Sequence, residues 1–115
     1  MTPGRYPLEP FTAGDTWDGI PRVAIMINGV PPVSPLAIIR MRFTLADSAD
    51  DTVIEISLAG GGITLVSAAN WIFTIPPQAM PGLTVGRWSW HIETISASNI
   101  KKTYLQGDQI VLPDL

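Results

Sequence analysis

From Gly86 to Glu93 bulky apolar and polar residues alternate without a break, Trp88, Trp90 and Ile92 in one phase and Arg87, Ser89, His91 and Glu93 in the other. Successive side chains of an extended chain point to opposite faces, so both indoles and Ile92 enter one core while the charged residues stand on the far side. A helix would scatter the tryptophans around its girth. The pattern therefore predicts a strand, and the rest of the chain repeats it.

Arg22 to Asn28 sets Val23, Ile25 and Ile27 against Arg22, Ala24, Met26 and Asn28. Asn28-Gly29 closes that strand, and Val30-Pro31-Pro32-Val33-Ser34-Pro35 reads as a stiff connection rather than a hairpin. Leu36 to Leu45 is the second long strand, with Ala37, Ile39, Met41, Phe43 and Leu45 facing one way. A polar loop from Ala46 to Thr52 leads to Val53–Leu58, whose Ile54, Ile56 and Leu58 mark a core face. Gly60-Gly61-Gly62 predicts a reversal into Ile63–Val66, because glycines tolerate positive φ. Trp71 to Ile75 turns Trp71, Phe73 and Ile75 inward until Pro76-Pro77 stops it. Gln78 to Val85 is a loop, and Ser96 to Asn99 is another. The last strand, Thr103 to Leu112, is expected to kink at Gly107.

These strands number seven or eight, at turn-separated spacing and with no helical stripe. They predict an all-β chain: a single antiparallel β-sandwich of immunoglobulin-like outline. The cysteine pair of antibody domains is absent, so only the architecture is implied. Residues 1–12 interleave Pro3, Pro7 and Pro10 with Tyr6, Leu8 and Phe11. Prolines pre-extend the backbone and exclude a central strand, so this stretch reads as an extended Pro-rich N-terminal arm on a sandwich spanning 13–115. The arm either crosses its own sandwich edge or clasps a neighbouring subunit. Ala13 to Gly19 is turn chemistry around Trp17, and Tyr6, Leu8, Phe11 and Trp17 are the candidate protein-interface anchors.

Length and composition narrow the function. At 115 residues the chain is one domain, long enough to bury a core without disulfides or a structural metal. Zero cysteines exclude thiolate catalysis, cysteine-ligated zinc and a disulfide framework. No apolar run reaches bilayer length and the first residues lack a signal-peptide core, so the expectation is a protein made soluble in the cytoplasm, with no membrane partner. A net charge of −3, with Lys101-Lys102 the one adjacent basic pair, argues against nucleic acid. Hydrophobic residues are 46% of the chain and charged ones 15%, an apolar excess that points to contacts with other chains.

The candidate chemistry is sparse. His91, the single histidine, has Ser89 and Glu93 beside it on one strand, where i±2 neighbours lie side by side rather than converge. Asp47, Asp50 and Asp51 lack the spacing of a calcium loop, and Gly60-Gly61-Gly62 lacks the Lys-Ser/Thr and helix of a phosphate cradle. No catalytic, metal or cofactor set is expected. Tryptophans on a sandwich can stack on sugar rings, and Trp17 is the exposed candidate for a carbohydrate-binding module.

Five stretches carry a resemblance when read in order. They are Phe11-x-x-Gly14-Asp15-Thr16-Trp17, Leu36-x-x-Ile39-Arg40-Met41-x-Phe43, Gly61-Gly62-Ile63-Thr64-Leu65, Gly86-Arg87-Trp88-Ser89-Trp90-His91-Ile92 and Leu105-Gln106-Gly107-Asp108-x-Ile110-Val111-Leu112. Over about residues 11 to 112 the chain resembles small virion proteins of tailed bacteriophages and prophages, similar to the N-terminal immunoglobulin-like domain of baseplate and tail-fibre adaptor proteins. Trp88 and Trp90 replace the tyrosines usual there, His91 stands where aspartate is common, and Pro113-Asp114-Leu115 replaces the acidic-Val-Thr ending. The resemblance implies a non-enzymatic adaptor bridging virion structural proteins in a symmetric, multi-copy assembly. A capsid decoration protein clamping shell subunits is the alternative within the same class.

Overall fold

The computed structural model describes residues 4–6, 8–45 and 53–113. The Ala46–Thr52 loop with its three aspartates, Pro3, Pro7 and the Asp114-Leu115 ending lie outside the described residues. No described residue lies in a helix, and strand segments follow one another along the chain. In chain order they are β1 (Gly4–Arg5), β2 (Phe11–Thr12), β3 (Thr16–Trp17), β4 (Ile20–Ala24), β5 (Leu36–Leu45) and β6 (Val53–Ser57), followed by β7 (Thr64–Ser67), β8 (Ile72–Ile75), β9 (Gln78–Ala79), β10 (Gly86–Ser96) and β11 (Lys101–Leu112).

One sheet runs β1-β11-β10-β5-β6, with β2 also on β11; a second runs β4-β8-β7; β3 and β9 form a short ribbon. Both sheets feed one apolar cluster, so the molecule is a β-sandwich. In immunoglobulin lettering β4-β8-β7 stand as B-E-D and β11-β10-β5-β6 as G-F-C-C′. The expected count holds: seven strands have four or more residues, and the remainder are two-residue pairings.

The tryptophan strand behaves as its alternation requires. Trp88, Trp90 and Ile92 are buried while Arg87 and Ser89 are exposed. Past Ile92 the alternation fails and Glu93 and Thr94 are both buried. Thr94 faces inward in register with Ile39, while Glu93 stays on the outer face in register with Arg40 and is enclosed there by Arg40 and Lys101. On β11 the register shifts, Ile92 opposing Leu105 and Glu93 opposing Thr103, which leaves Tyr104 as the extra residue. The irregularity of the last strand is therefore at Tyr104. Gly107 stays in register opposite Trp90. Its missing side chain serves close approach instead, since a Cβ there would sit 2.6 Å from the Tyr6 carbonyl oxygen and 2.9 Å from the Trp90 ring.

Other boundaries moved as well: the last strand begins at Lys101, and Gln78–Ala79 pairs with β3 within the stretch expected as a loop. The strand expected over 22–28 is Ile20–Ala24, because Ile25 gives its N–H to the Trp71 carbonyl instead of to a strand partner (3.1 Å). Asn28 and Gly29 both take positive φ, and Ile27 and Val30 exchange two backbone hydrogen bonds across them, so the pair read as closing the strand forms a two-residue hairpin turn just before the proline-rich connection. Trp71 has φ of 55° and belongs to the turn before β8, yet its ring still enters the core edge-on to Tyr104.

The N-terminal stretch joins the sheet. β1 and β2 pair parallel with β11 at Leu105-Gln106 and Val111-Leu112, Tyr6 donates its N–H to the Gln106 carbonyl (3.1 Å), and Ala13 to that of Leu112 (2.9 Å). The sandwich is thus antiparallel except along this edge. Of the two courses open to the arm, its described residues follow the one along their own sandwich. Glu9 and Pro10 fall in the gap between the two pairings, where Pro10's missing donor costs no ladder bond.

Candidate functional site

The four anchors expected from sequence sit against this chain's own core. Phe11 and Trp17 are buried, and Tyr6 and Leu8 are partly buried and packed on the same cluster. Trp17 is 2% exposed, stands edge-on to Phe43 with centroids 5.6 Å apart, and donates Nε1–H to Gln109 Oε1 (3.0 Å). The expectation of an exposed indole at 17 is overturned, since a ring enclosed on both faces has none to offer a sugar. Trp71, Trp88 and Trp90 are buried as well. Sequence reasoning missed Gln109, whose side chain is fully buried in core phase between Gly107 and Val111. It accepts from Trp17 and donates Nε2–H to the carbonyls of Glu9 (2.9 Å) and Ile110 (3.0 Å), tying the first strands to the last.

The outer face of the large sheet carries a charge array. Glu93, its side chain only 8% exposed, lies 3.4 Å from Arg40 and 3.5 Å from Lys101, while Glu55 lies 3.7 Å from Arg40 and 3.2 Å from Arg42. His91 stands opposite Arg42 on one neighbouring strand and Gln106 on the other. A general base of the Ser-His-carboxylate type needs an acid behind the imidazole, and the cross-strand positions supply a cation and an amide instead. Among the described residues no cluster of three histidine, aspartate or glutamate side chains is placed to hold a metal.

The feature that stands out is an apolar groove of about 570 Å³ at one end of the sandwich, where the β4–β5, β7–β8 and β10–β11 connections meet. Ser34 is the joint: its carbonyl accepts Trp71 Nε1–H (2.8 Å) and its Oγ accepts the Ser98 N–H (3.1 Å). Leu36 donates its N–H to the Ala68 carbonyl (3.1 Å) and Ala97 donates to that of Pro35 (2.8 Å), so all three loops are locked together. Ser96 Oγ caps the last loop through the Ile100 N–H (3.1 Å). With the polar groups occupied in this way, what remains facing solvent is hydrocarbon: Val30, Val33 and Ile100 are exposed, Val33 fully, over a floor of Trp71 and Tyr104. Lys102 is the one charged residue of the lining. Ligand pockets combine apolar walls with a few convergent polar groups, and this groove is nearly all wall. Its sequence signal was Val30-Pro31-Pro32-Val33, an apolar run held rigid by proline.

Comparison of the chain with protein-family models, with curated proteins and with solved structures finds no match in any of the three.

Proposed function

We propose that this chain is a non-enzymatic structural protein of a tailed-bacteriophage virion, an adaptor that bridges other virion subunits at the baseplate or tail-fibre attachment. The virion assignment rests on the ordered motif resemblance from Phe11 to Leu112. The observation that carries the adaptor mechanism is the loop-end groove, an exposed hydrocarbon surface on a hydrogen-bonded frame. Soluble monomers rarely leave such patches open, and a rigid patch loses little conformational entropy when a partner covers it. The gripping surface in this reading is the Val30–Val33 connection with Ile100 rather than the N-terminal residues, which are engaged by β11.

The test is incorporation into particles. Val33→Asp and Ile100→Asp place a carboxylate on exposed positions and leave the core untouched. If either side chain is a contact of the kind that dominates interfaces, losing about 2 kcal/mol or more, particle-bound protein falls by roughly thirtyfold. Unchanged incorporation of both folded variants would remove the groove from the mechanism. Copy number in the same particles separates tail from head: a count matching the shell lattice would favour capsid decoration.

A further inference from the structure

Every open sandwich leaves lateral strand edges whose unpaired N–H and C=O groups can template another strand, and natural proteins blunt them with proline, bulges or covering segments. Three of this chain's edges carry such devices. The β11 edge is covered at Leu105-Gln106 and Val111-Leu112 by β1 and β2; β4 contains Pro21 and a register shift between Ile20 and Val23; β7 is interrupted by a shift between Leu65 and Ser67. β6 carries none. Its five residues hold unbroken register with β5, from Thr44↔Val53 to Arg40↔Ser57, and contain neither proline nor glycine.

The direction of its free groups follows from one bond. Leu58 donates its N–H to the Ile39 carbonyl (3.1 Å), so on β6 the residues in phase with Leu58, Ile56 and Ile54, turn their amides toward β5, and Val53, Glu55 and Ser57 turn theirs outward. The outward carbonyl of Ser57 is already taken by the N–H groups of Gly62 (3.1 Å) and Ile63 (3.2 Å), which ends the open ladder there. Val53 and Glu55 remain without an outward partner among the described residues, each offering one donor and one acceptor. This short ladder is complementary to itself about a two-fold axis.

We propose that β6 is a homodimer edge, on which a second copy of this chain pairs antiparallel with Ile54 opposite Ile54. That register sets Val53 opposite Glu55 twice and satisfies all four outward groups of the two residues on each strand, as an isologous interface requires. On the inner side the two partly buried Ile54 side chains meet and close the margin of each core. On the outer side half-exposed Val53 lies beside the stem of the second copy's Glu55, whose carboxylate keeps its own Arg40 and Arg42. The competing register, Glu55 opposite Glu55, aligns two carboxylates and is disfavoured. The pairing joins two large sheets into one and stands on backbone geometry, independently of the loop-end groove.

Because the chain has no cysteine, single substitutions read the register directly. In a non-hydrogen-bonded antiparallel pair the two Cα atoms are about 4.5 Å apart, within disulfide reach, so Ile54→Cys is expected to cross-link into a dimer under mild oxidation. Ile56→Cys lies four residue steps from its own mate, about 13 Å, and is expected to remain uncross-linked. Sedimentation of the unmodified chain should show a species of twice the 12.4 kDa chain mass. Val53→Pro removes an outward donor at the first strand position, where proline is tolerated, and should raise the dimer dissociation constant at least about tenfold with the tryptophan fluorescence of the fold unchanged. A wild-type chain monomeric at ~100 µM, a dissociation constant indifferent to Val53→Pro, or cross-linking through Ile56→Cys as fast as through Ile54→Cys would each overturn the proposal.

Discussion

Replacing Gln109 by leucine probes the bond set that holds the first strands to the last. Leucine is close to glutamine in size, so no cavity opens and the loss is polar. The Trp17 indole N–H, enclosed in the core, is left without its acceptor at 3.0 Å, and an unsatisfied buried donor costs about 1–3 kcal/mol. The Glu9 carbonyl loses its donor at 2.9 Å, but Glu9 is exposed and water can replace part of that bond, adding ~0–1 kcal/mol. The expected cost is about 1–4 kcal/mol, a large share of the ~5–15 kcal/mol typical of a domain. Equilibrium urea unfolding followed by tryptophan fluorescence should show the midpoint falling by ~1–2 M. A cycle with Trp17→Phe isolates the cause, because once the indole N–H is gone leucine at 109 orphans no buried donor. The double variant should be more stable than the sum of the single losses by about 1–2 kcal/mol. Hydrogen exchange at the Tyr6 and Ala13 amides, which bond to Gln106 and Leu112, should accelerate more in Gln109→Leu than exchange within β5. Additivity within ~0.5 kcal/mol would refute the reasoning.

Other substitutions test the packing around the same sheet. Gly107→Ala pushes a methyl to 2.6 Å from the Tyr6 carbonyl oxygen and 2.9 Å from the Trp90 ring, so β1 must lift; a loss of about 1–3 kcal/mol with faster exchange at the Tyr6 amide is expected, and a neutral result would mean that the crossing is not as close as described. Trp88 donates Nε1–H to the Thr84 carbonyl at 2.8 Å, whereas Trp90 Nε1 has no acceptor among the described residues. Trp88→Phe should therefore cost about 1 kcal/mol more than Trp90→Phe in urea unfolding, and the reverse order would contradict the bonding assigned to the two rings.

Side-chain alternation was enough to make the chain all-β and to place its longest strands, because a period of two in burial is a local property of the extended backbone. Trp88, Trp90, Ile92, Ile39, Met41 and Phe43 went to the core side for that reason alone. Turn residues marked the reversals at Asn28-Gly29 and Gly60–Gly62 in the same local way. What the alternation could not convey is which strand lies beside which, and every departure traces to that. The N-terminal residues became an edge of their own sheet because β11 offered an unpaired ladder; Trp17 went inside because Gln109 and Phe43 waited across the fold; Tyr104 bulged because β10 and β11 are out of step past Ile92. The groove and the open β6 edge have the same origin. Val33 and Val53 are two valines in the sequence, and only the meeting of three loops over Trp71 and the absence, among the described residues, of a strand beside β6 make them surfaces, since exposure is decided by neighbours far away along the chain.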